Sequence, residues 1–255
     1  MKTAAIILSL IASASAFAPA TTNSRSSVAV QESKADLELL AAELNPIVKF
    51  YDPLNLAEAE FWGCTNEETI GFLRHAEIKH GRVAMFAFIG YIVHANGIKF
   101  PWAMQMDGKS FPTGTNPPEL WDQVSDDAKW QIFSLIGFLE FWSELSTPNH
   151  THYMKGGKPG DFPDFESGPE GIPHPVPFNF YDPFKFSKNK SEEAKARGLV
   201  AEINNGRLAM LGIFGFLSAQ AIPGSVPVLS GVVQPYSGEV MAPFSANILG
   251  MPFGQ

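Results

Sequence analysis

Apolar residues gather into three long stretches, each opening on a polar turn and each closed by residues that end helices. Residues 67–95, 126–145 and 192–221 contain no proline, are rich in good helix formers and read as helices. The first stops at Asn96-Gly97, the second before Pro148 and the third before Pro223-Gly224. Ahead of them, residues 34–44 form a short amphipathic segment. Residues 101–125 and 146–180 read as Pro/Gly-rich loops, and 223–255 as an irregular tail with one short turn near 243–249. None of the three stretches is an unbroken apolar run of roughly 18 residues. The best, 208–222, includes Ser218 and Gln220.

The first and third stretches repeat each other. Residues 76–91 read A-E-I-K-H-G-R-V-A-M-F-A-F-I-G-Y, and residues 201–216 read A-E-I-N-N-G-R-L-A-M-L-G-I-F-G-F. At a fixed offset of 125, 8 of the 16 positions are identical, and most of the others exchange one apolar residue for another. Such self-similarity marks a duplicated structural unit. The turn Phe50-Tyr51-Asp52-Pro53 recurs as Phe180-Tyr181-Asp182-Pro183, so the unit includes a D-P turn as well as a helix.

Each repeated helix carries a Glu and an Arg directly ahead of its apolar body. An unpaired charge at the centre of a membrane span costs roughly 2.5–3.5 kcal/mol. Two helices related by a pseudo-two-fold resolve this if Glu77 pairs with Arg207 and Glu202 with Arg82. A close pair gains about 4 kcal/mol at an effective dielectric near 20, enough to offset much of the cost. Gly81, Gly206, Gly90 and Gly215 are expected to let the two helices approach closely.

Composition changes this picture little. Mean hydropathy is close to zero, and 17% of the residues are charged. The net charge of −8 argues against a nucleic-acid partner. The single cysteine, Cys64, excludes an intrachain disulfide framework and a cysteine zinc site. The N-terminus is more telling. Residues 1–16 have a basic start, an apolar core and a small-residue cleavage site, the pattern of a secretory signal peptide. Residues 17–30 carry Ser, Thr and one Arg but no acid before the chain proper begins near residue 31, the composition of a transit peptide. The junction Ala14-Ser15-Ala16-Phe17-Ala18-Pro19 resembles the bipartite pre-sequences of red-algal-type secondary plastids, such as those of diatoms.

No catalytic constellation is present: the chain has no G-x-S-x-G, phosphate-binding loop, H-E-x-x-H or dinucleotide fingerprint. His150-Thr151-His152 lacks further ligands for a metal and reads as loop surface; His75 reads as a polar interfacial residue, and His174 lies among prolines. What remains is a set of single Lewis bases on apolar helices: Glu77, His80, Glu140, Glu202 and Asn205. A free divalent cation needs a cluster of oxygens. A metal already held by four ring nitrogens needs only one axial donor, so this scatter fits tetrapyrrole ligation. A histidine in that role must be neutral.

E-I-K-H-G-R-V-A-M and E-I-N-N-G-R-L-A-M resemble the first and third helices of the chlorophyll-binding light-harvesting superfamily. The D-P turns and the loop H-Y-M-K-G-G-K-P-G-D-F-P (152–163) resemble its fucoxanthin chlorophyll a/c branch. The resemblance implies an all-α membrane protein of three transmembrane helices, the first and third crossed and pseudo-two-fold related. It implies that Glu77 and Glu202 each ligate a chlorophyll magnesium while paired with Arg207 and Arg82. His80 and Asn205 would ligate two more, and Glu140 another. Chlorophyll a, chlorophyll c, fucoxanthin and diadinoxanthin or a related xanthophyll are the implied pigments, with xanthophyll end groups near Asp52-Pro53 and Asp182-Pro183. The implied activity is light absorption and excitation transfer in the plastid thylakoid membrane, with a photosystem core, neighbouring antenna proteins and thylakoid lipids as partners. Residues 212–227 resemble members associated with photosystem I.

The chain departs from the family pattern in places. The third helix often has Gln seventeen residues after its Glu; Ala219 stands there, and Gln220, about 100° around the helix, is the candidate instead. Gln131, half a turn out of phase with Glu140, is a further candidate on the middle helix. His94 lies about 21 Å beyond His80 on nearly the same face and is the candidate for the opposite leaflet. The tail has no histidine to match the tail ligand of plant relatives. Other readings are a photoprotective energy dissipator, a pigment-free thylakoid scaffold and a soluble secreted helical enzyme.

Overall fold

In the computed structural model the described residues are 33–147, 150–163, 165, 180–184, 186, 190–238 and 243–244. The expected leader segments, His174 and most of the expected tail turn at 243–249 lie outside them. Within them the chain is helical: α1 (Lys34–Leu44), α2 (Asn66–Ala95), α3 (Pro117–Asp122), α4 (Asp126–Ser143) and α5 (Glu192–Ala221). Four short 3-10 turns complete the set, at Leu56–Glu58, Phe61–Gly63, Tyr153–Lys155 and Pro227–Leu229. Extended pairing among the described residues is limited to the isolated bridges Ala103 with Ser110 and Thr147 with His150.

Local chemistry sets the ends. Ser33 and Asp36 form a capping box at the start of α1, each side chain bonded to the other's backbone N–H. Gly97 sits at φ +68° after α2, and Ile98 N–H donates to Val93 O at 3.2 Å, the glycine stop the sequence signals. α4 ends at Ser143 rather than 145, because Glu144 and Leu145 bond three residues back to Phe141 and Trp142 and tighten the last turn. α3 lies inside the stretch read as loop. Asn116 precedes it and Pro117 and Pro118 open it, a position where a missing N–H costs nothing.

α2 and α5 are 30 residues each, about 45 Å long, more than a bilayer core of about 30 Å requires. What they lack is an unbroken apolar run. Among the described residues no helix is both long and apolar enough to cross a membrane.

The contacts divide the chain into two compact units whose boundaries fall inside the three long helices. The first comprises Phe17–Val83 and Phe138–Arg207. Its core joins Leu44 of α1, Ile78 of α2 and Val200 and Ile203 of α5. Ile78 and Ile203 are repeat-related and equally buried. The backbones of α2 and α5 meet at Gly81 and Gly206: a Cβ on Gly206 would stand 2.8 Å from Gly81 Cα. Trp142 of α4 stacks on Phe165 at 4.6 Å, and Tyr181 packs beside them.

The second unit comprises Ala84–Gly137 and the chain from Leu208. Phe216 of α5 stacks on Phe88 and Tyr91 of α2, at 5.1 and 4.6 Å. Gly90 and Gly215 are not at a close approach as expected: a Cβ added at either would meet no atom within 4 Å. Each stands nine residues beyond the crossing glycine, about 900° of rotation, and so on the opposite side of its helix. Gly212 is the close contact here: its Cβ would meet the Phe88 ring at 2.7 Å. Within the described part of the tail, Phe244 packs on Trp130 and Phe133.

Candidate functional site

Four of the repeat-borne charges meet in the first unit. Arg207 Nε donates to Glu77 Oε1 at 2.7 Å, and Arg82 Nε donates to Glu202 Oε1. Both pairs link α2 to α5, and each sits about one turn or less from the Gly81–Gly206 contact. The contact explains the pairing: without side chains between them, the two backbones come close enough for each Arg to reach the other helix.

The two pairs are not equivalent. Glu77 Oε2 also accepts from Arg74 Nη1, and Arg74 is buried. The repeat-related position holds Leu199, so Glu202 has no such second guanidinium. Arg82 is instead steadied by donating to Gly160 O at 2.6 Å and by lying 5.1 Å over the Phe162 ring. Arg74 stands three residues ahead of Glu77 on the same helix, a spacing that makes charged side chains neighbours. That spacing is legible in the sequence, but it lies outside the repeated motif and so escapes a reading built on the repeat.

His80 is exposed, and its Nδ1 lies 2.7 Å from Ala76 O. A carbonyl only accepts, so Nδ1 donates here, and Nε2 is the ring nitrogen left for a ligand. Asn205, at the matched position, is also exposed and makes no side-chain hydrogen bond among the described residues. Glu140 on α4 is exposed, with Oε2 2.7 Å from Lys79 Nζ. Nothing in the sequence pattern announces this bond, which joins residues 61 apart in the chain.

The second unit holds the other candidates, and it does not gather them. Gln131 and His94 are exposed. Gln220 is almost wholly buried and donates from Nε2 to Asn116 Oδ1 at 2.9 Å. Asn116 uses its own Nδ2 on Glu119 and Pro235 O, which fixes the orientation of both amides. Gln220 Oε1 is left buried, with no hydrogen-bond partner among the described residues.

His75 of α2 and His150 of the loop differ from their sequence reading. His75 is buried in α2, not interfacial; it stacks on Tyr153 at 3.9 Å, and Gly160 N–H donates to its Nδ1 at 3.2 Å. Gly160 holds φ +80°, and a Cβ there would strike Ile78 at 2.8 Å, so the position requires glycine. His150 is buried too, and His152 Nε2 lies 2.9 Å from Glu144 Oε2, which also accepts from Tyr153 OH. These residues fasten the 150–163 loop to α2 and α4. Burial and the Glu144 bond push the Tyr153 hydroxyl pKa well up. Among the described residues no three of His, Cys, Asp and Glu cluster as a metal site.

Both D-P turns use one device. Asp52 Oδ1 accepts from Leu56 N–H and Asp182 Oδ1 from Phe186 N–H, each four residues on and each at 2.9 Å. Asp52 Oδ2 also accepts from Ala57 N–H at 2.8 Å.

The charges of the repeated helices are thus paired with each other, and beyond them the helices carry exposed apolar residues. Val83, Phe86 and Ile89, and their repeat-related Leu208, Leu211 and Phe214, are each between 49% and 82% exposed. His80 and Asn205 stand one turn before Val83 and Leu208. An imidazole nitrogen and an amide oxygen, each single and each beside apolar surface, suit a flat apolar macrocycle whose metal needs one more donor.

Residues 36–221 match the model of the family described as "Chlorophyll A-B binding protein". The chain belongs to the chlorophyll a-b binding protein family. Within this family it is similar to the fucoxanthin-chlorophyll a-c binding protein F of Phaeodactylum tricornutum, at 34% identity over 214 residues, 84% of this chain and 92% of the relative. A fucoxanthin-chlorophyll a-c binding protein of Trieres chinensis is 32% identical over 230 residues, 88% of this chain and 97% of its own. Protein E of P. tricornutum is 32% identical over 212 residues, 83% and 92% respectively. All three are named chloroplastic. Chlorophyll a-b binding proteins are light-harvesting, pigment-binding membrane proteins and not enzymes.

Proposed function

We propose that this chlorophyll a-b binding protein is a thylakoid antenna that crosses the membrane with α2, α4 and α5 and transfers excitation to a photosystem, photosystem I. Its pigments are chlorophyll a, chlorophyll c and fucoxanthin, with diadinoxanthin or a related xanthophyll. The observation that carries the reading is the reciprocal pairing of Glu77 with Arg207 and Glu202 with Arg82. It leaves His80 and Asn205 exposed at matched positions beside apolar faces.

Each residue has a part. Glu77, Glu202 and Glu140 are carboxylates whose charge a neighbouring Arg or Lys balances, so each donates an oxygen without leaving net charge in lipid. His80 donates through Nε2, its other nitrogen held by Ala76 O. Asn205 donates its amide oxygen. Gln220 offers the buried Oε1; Gln131 and His94 are the outlying donors. Bound chlorophyll supplies the absorption, and the protein sets spacing and orientation. The plastid is of the red-algal secondary type, which the leader composition supports.

Pigment chromatography on protein purified in mild detergent tests the reading, and a colourless preparation would end it. His80→Leu is expected to lose one chlorophyll with helix content retained. Unchanged stoichiometry would remove His80 from the ligands.

A further inference from the structure

The candidate donor on α4 is held from outside its own helix. Lys79 of α2 brings its ammonium to Glu140 Oε2 at 2.7 Å and to Ser143 Oγ at 3.3 Å. Ser143 Oγ donates in turn to Glu140 O at 2.7 Å, which leaves its lone pairs for the ammonium. The Phe162 ring centre lies 5.8 Å from Lys79 Nζ. Glu140 Oε1 has no hydrogen bond or ion pair among the described residues. One oxygen of this carboxylate is committed to a cation, and the other is left as a single donor.

A second carboxylate stands close to the same ammonium. Glu144 lies one turn further along α4, with Oε1 3.8 Å from Lys79 Nζ, an ion-pair distance too long for a hydrogen bond. Its Oε2 is held by the loop: His152 Nε2 lies at 2.9 Å and Tyr153 OH at 3.0 Å. Met154 N–H donates to His152 Nδ1 at 3.2 Å, so Nε2 is the ring nitrogen that donates to Glu144. Two carboxylates therefore compete for one ammonium, and two loop donors occupy one of the competitors.

We propose that Lys79 is the positioning residue of the α4 pigment site, and that His152 and Tyr153 set the occupancy of that site by keeping Glu144 off Lys79. The inference rests on the reading of Glu140 as a chlorophyll ligand. With the ammonium on Oε2, Glu140 presents Oε1 without net charge beside lipid; with the ammonium drawn to Glu144, the charge of Glu140 is uncompensated and the site weakens. The 150–163 loop thus acts on a pigment through residues that do not touch Glu140.

The test reconstitutes the full chain in detergent with chlorophyll a, chlorophyll c and fucoxanthin, and counts chlorophylls per chain. Glu140→Leu should lose one chlorophyll, and its difference absorption spectrum marks the band of that pigment. Lys79→Met should lose the same band, and Lys79→Arg should keep it. Adding Glu140→Gln to Lys79→Met should restore it, because a neutral amide oxygen needs no cation. Tyr153→Phe keeps the ring and removes one loop donor, so it should lose part of that band. Glu144→Gln in the same chain should return it by removing the competing charge. Neither restoration is expected if Lys79 and Tyr153 only hold the fold. Full stoichiometry in Lys79→Met, loss of a different band, or no restoration by Glu140→Gln and Glu144→Gln would overturn the proposal. Should Lys79→Met fail to fold, the Tyr153→Phe and Glu144→Gln pair decides alone. If Glu140→Leu itself loses no chlorophyll, the ligand reading of Glu140 fails and takes this inference with it; if Glu140→Leu loses one and Lys79→Met none, only this inference fails.

Discussion

At the scale of single residues, the two ion pairs look alike in sequence and differ in surroundings. Glu77 serves two guanidinium groups, while Arg82 keeps Gly160 O and the Phe162 face if its carboxylate goes. Glu77→Gln is therefore expected to destabilise more than Glu202→Gln, by roughly 1–3 kcal/mol, the range for a buried charged group that loses its partner. Thermal unfolding of the two variants in the same detergent measures the gap, and equal midpoints would contradict the asymmetry. Asp52 gives a prediction in pH. Hydrogen bonds from Ala57 and Leu56 N–H hold its carboxyl below the ordinary value near 3.9. A lowered folded pKa means the stabilisation is complete above the unfolded value and is lost as pH falls through the lowered one. The Leu56 and Ala57 amides should lose hydrogen-exchange protection over that acid window, and Asp52→Ala should abolish the pH dependence.

At the scale of elements, the crossing glycines and the outer glycines separate cleanly. Gly206→Ala forces a Cβ against the Gly81 backbone, so it should push α2 and α5 apart and lower the unfolding temperature. Gly215→Ala meets nothing and replaces a poor helix former, so it should be neutral or stabilising by up to about 1 kcal/mol. Differential scanning calorimetry distinguishes the two, and equal effects would refute the assigned crossing. The same contrast shows what sequence can tell. The repeat marks Glu77, Arg82, Glu202 and Arg207 because charge in an apolar helix needs a partner at a matched place. It does not say which glycines face inward, since that depends on helix rotation about the contact. α3 is hidden by its prolines, which read as loop until their place at a helix start is seen. Lys79 with Glu140 and His75 with Gly160 join segments far apart in the chain, and no local pattern carries such pairs.

At the scale of the whole molecule, exposed apolar residues recur at matched positions on the two repeated helices. His75 and His150 are buried and the Glu77–Arg207 and Glu202–Arg82 charges are paired, while Val83, Phe86 and Ile89 and Leu208, Leu211 and Phe214 are exposed. Scattered exposed apolar residues are ordinary, but a repeated stripe on each of two long helices is not. Lipid or pigment covering these stripes predicts a position-dependent cost of charge. Phe86→Lys and Leu211→Lys place an ammonium in the apolar body of α2 or α5, at roughly 3 kcal/mol near the middle of a span, on the order of 100-fold in insertion. Ile47→Lys adds the same charge at a residue 90% exposed in the turn after α1, outside the three long helices. The fraction of newly made protein resisting alkaline extraction should therefore fall for the first two and stay level for the third. If all three variants remain in the membrane alike, the stripes do not face lipid, and α2 and α5 do not span.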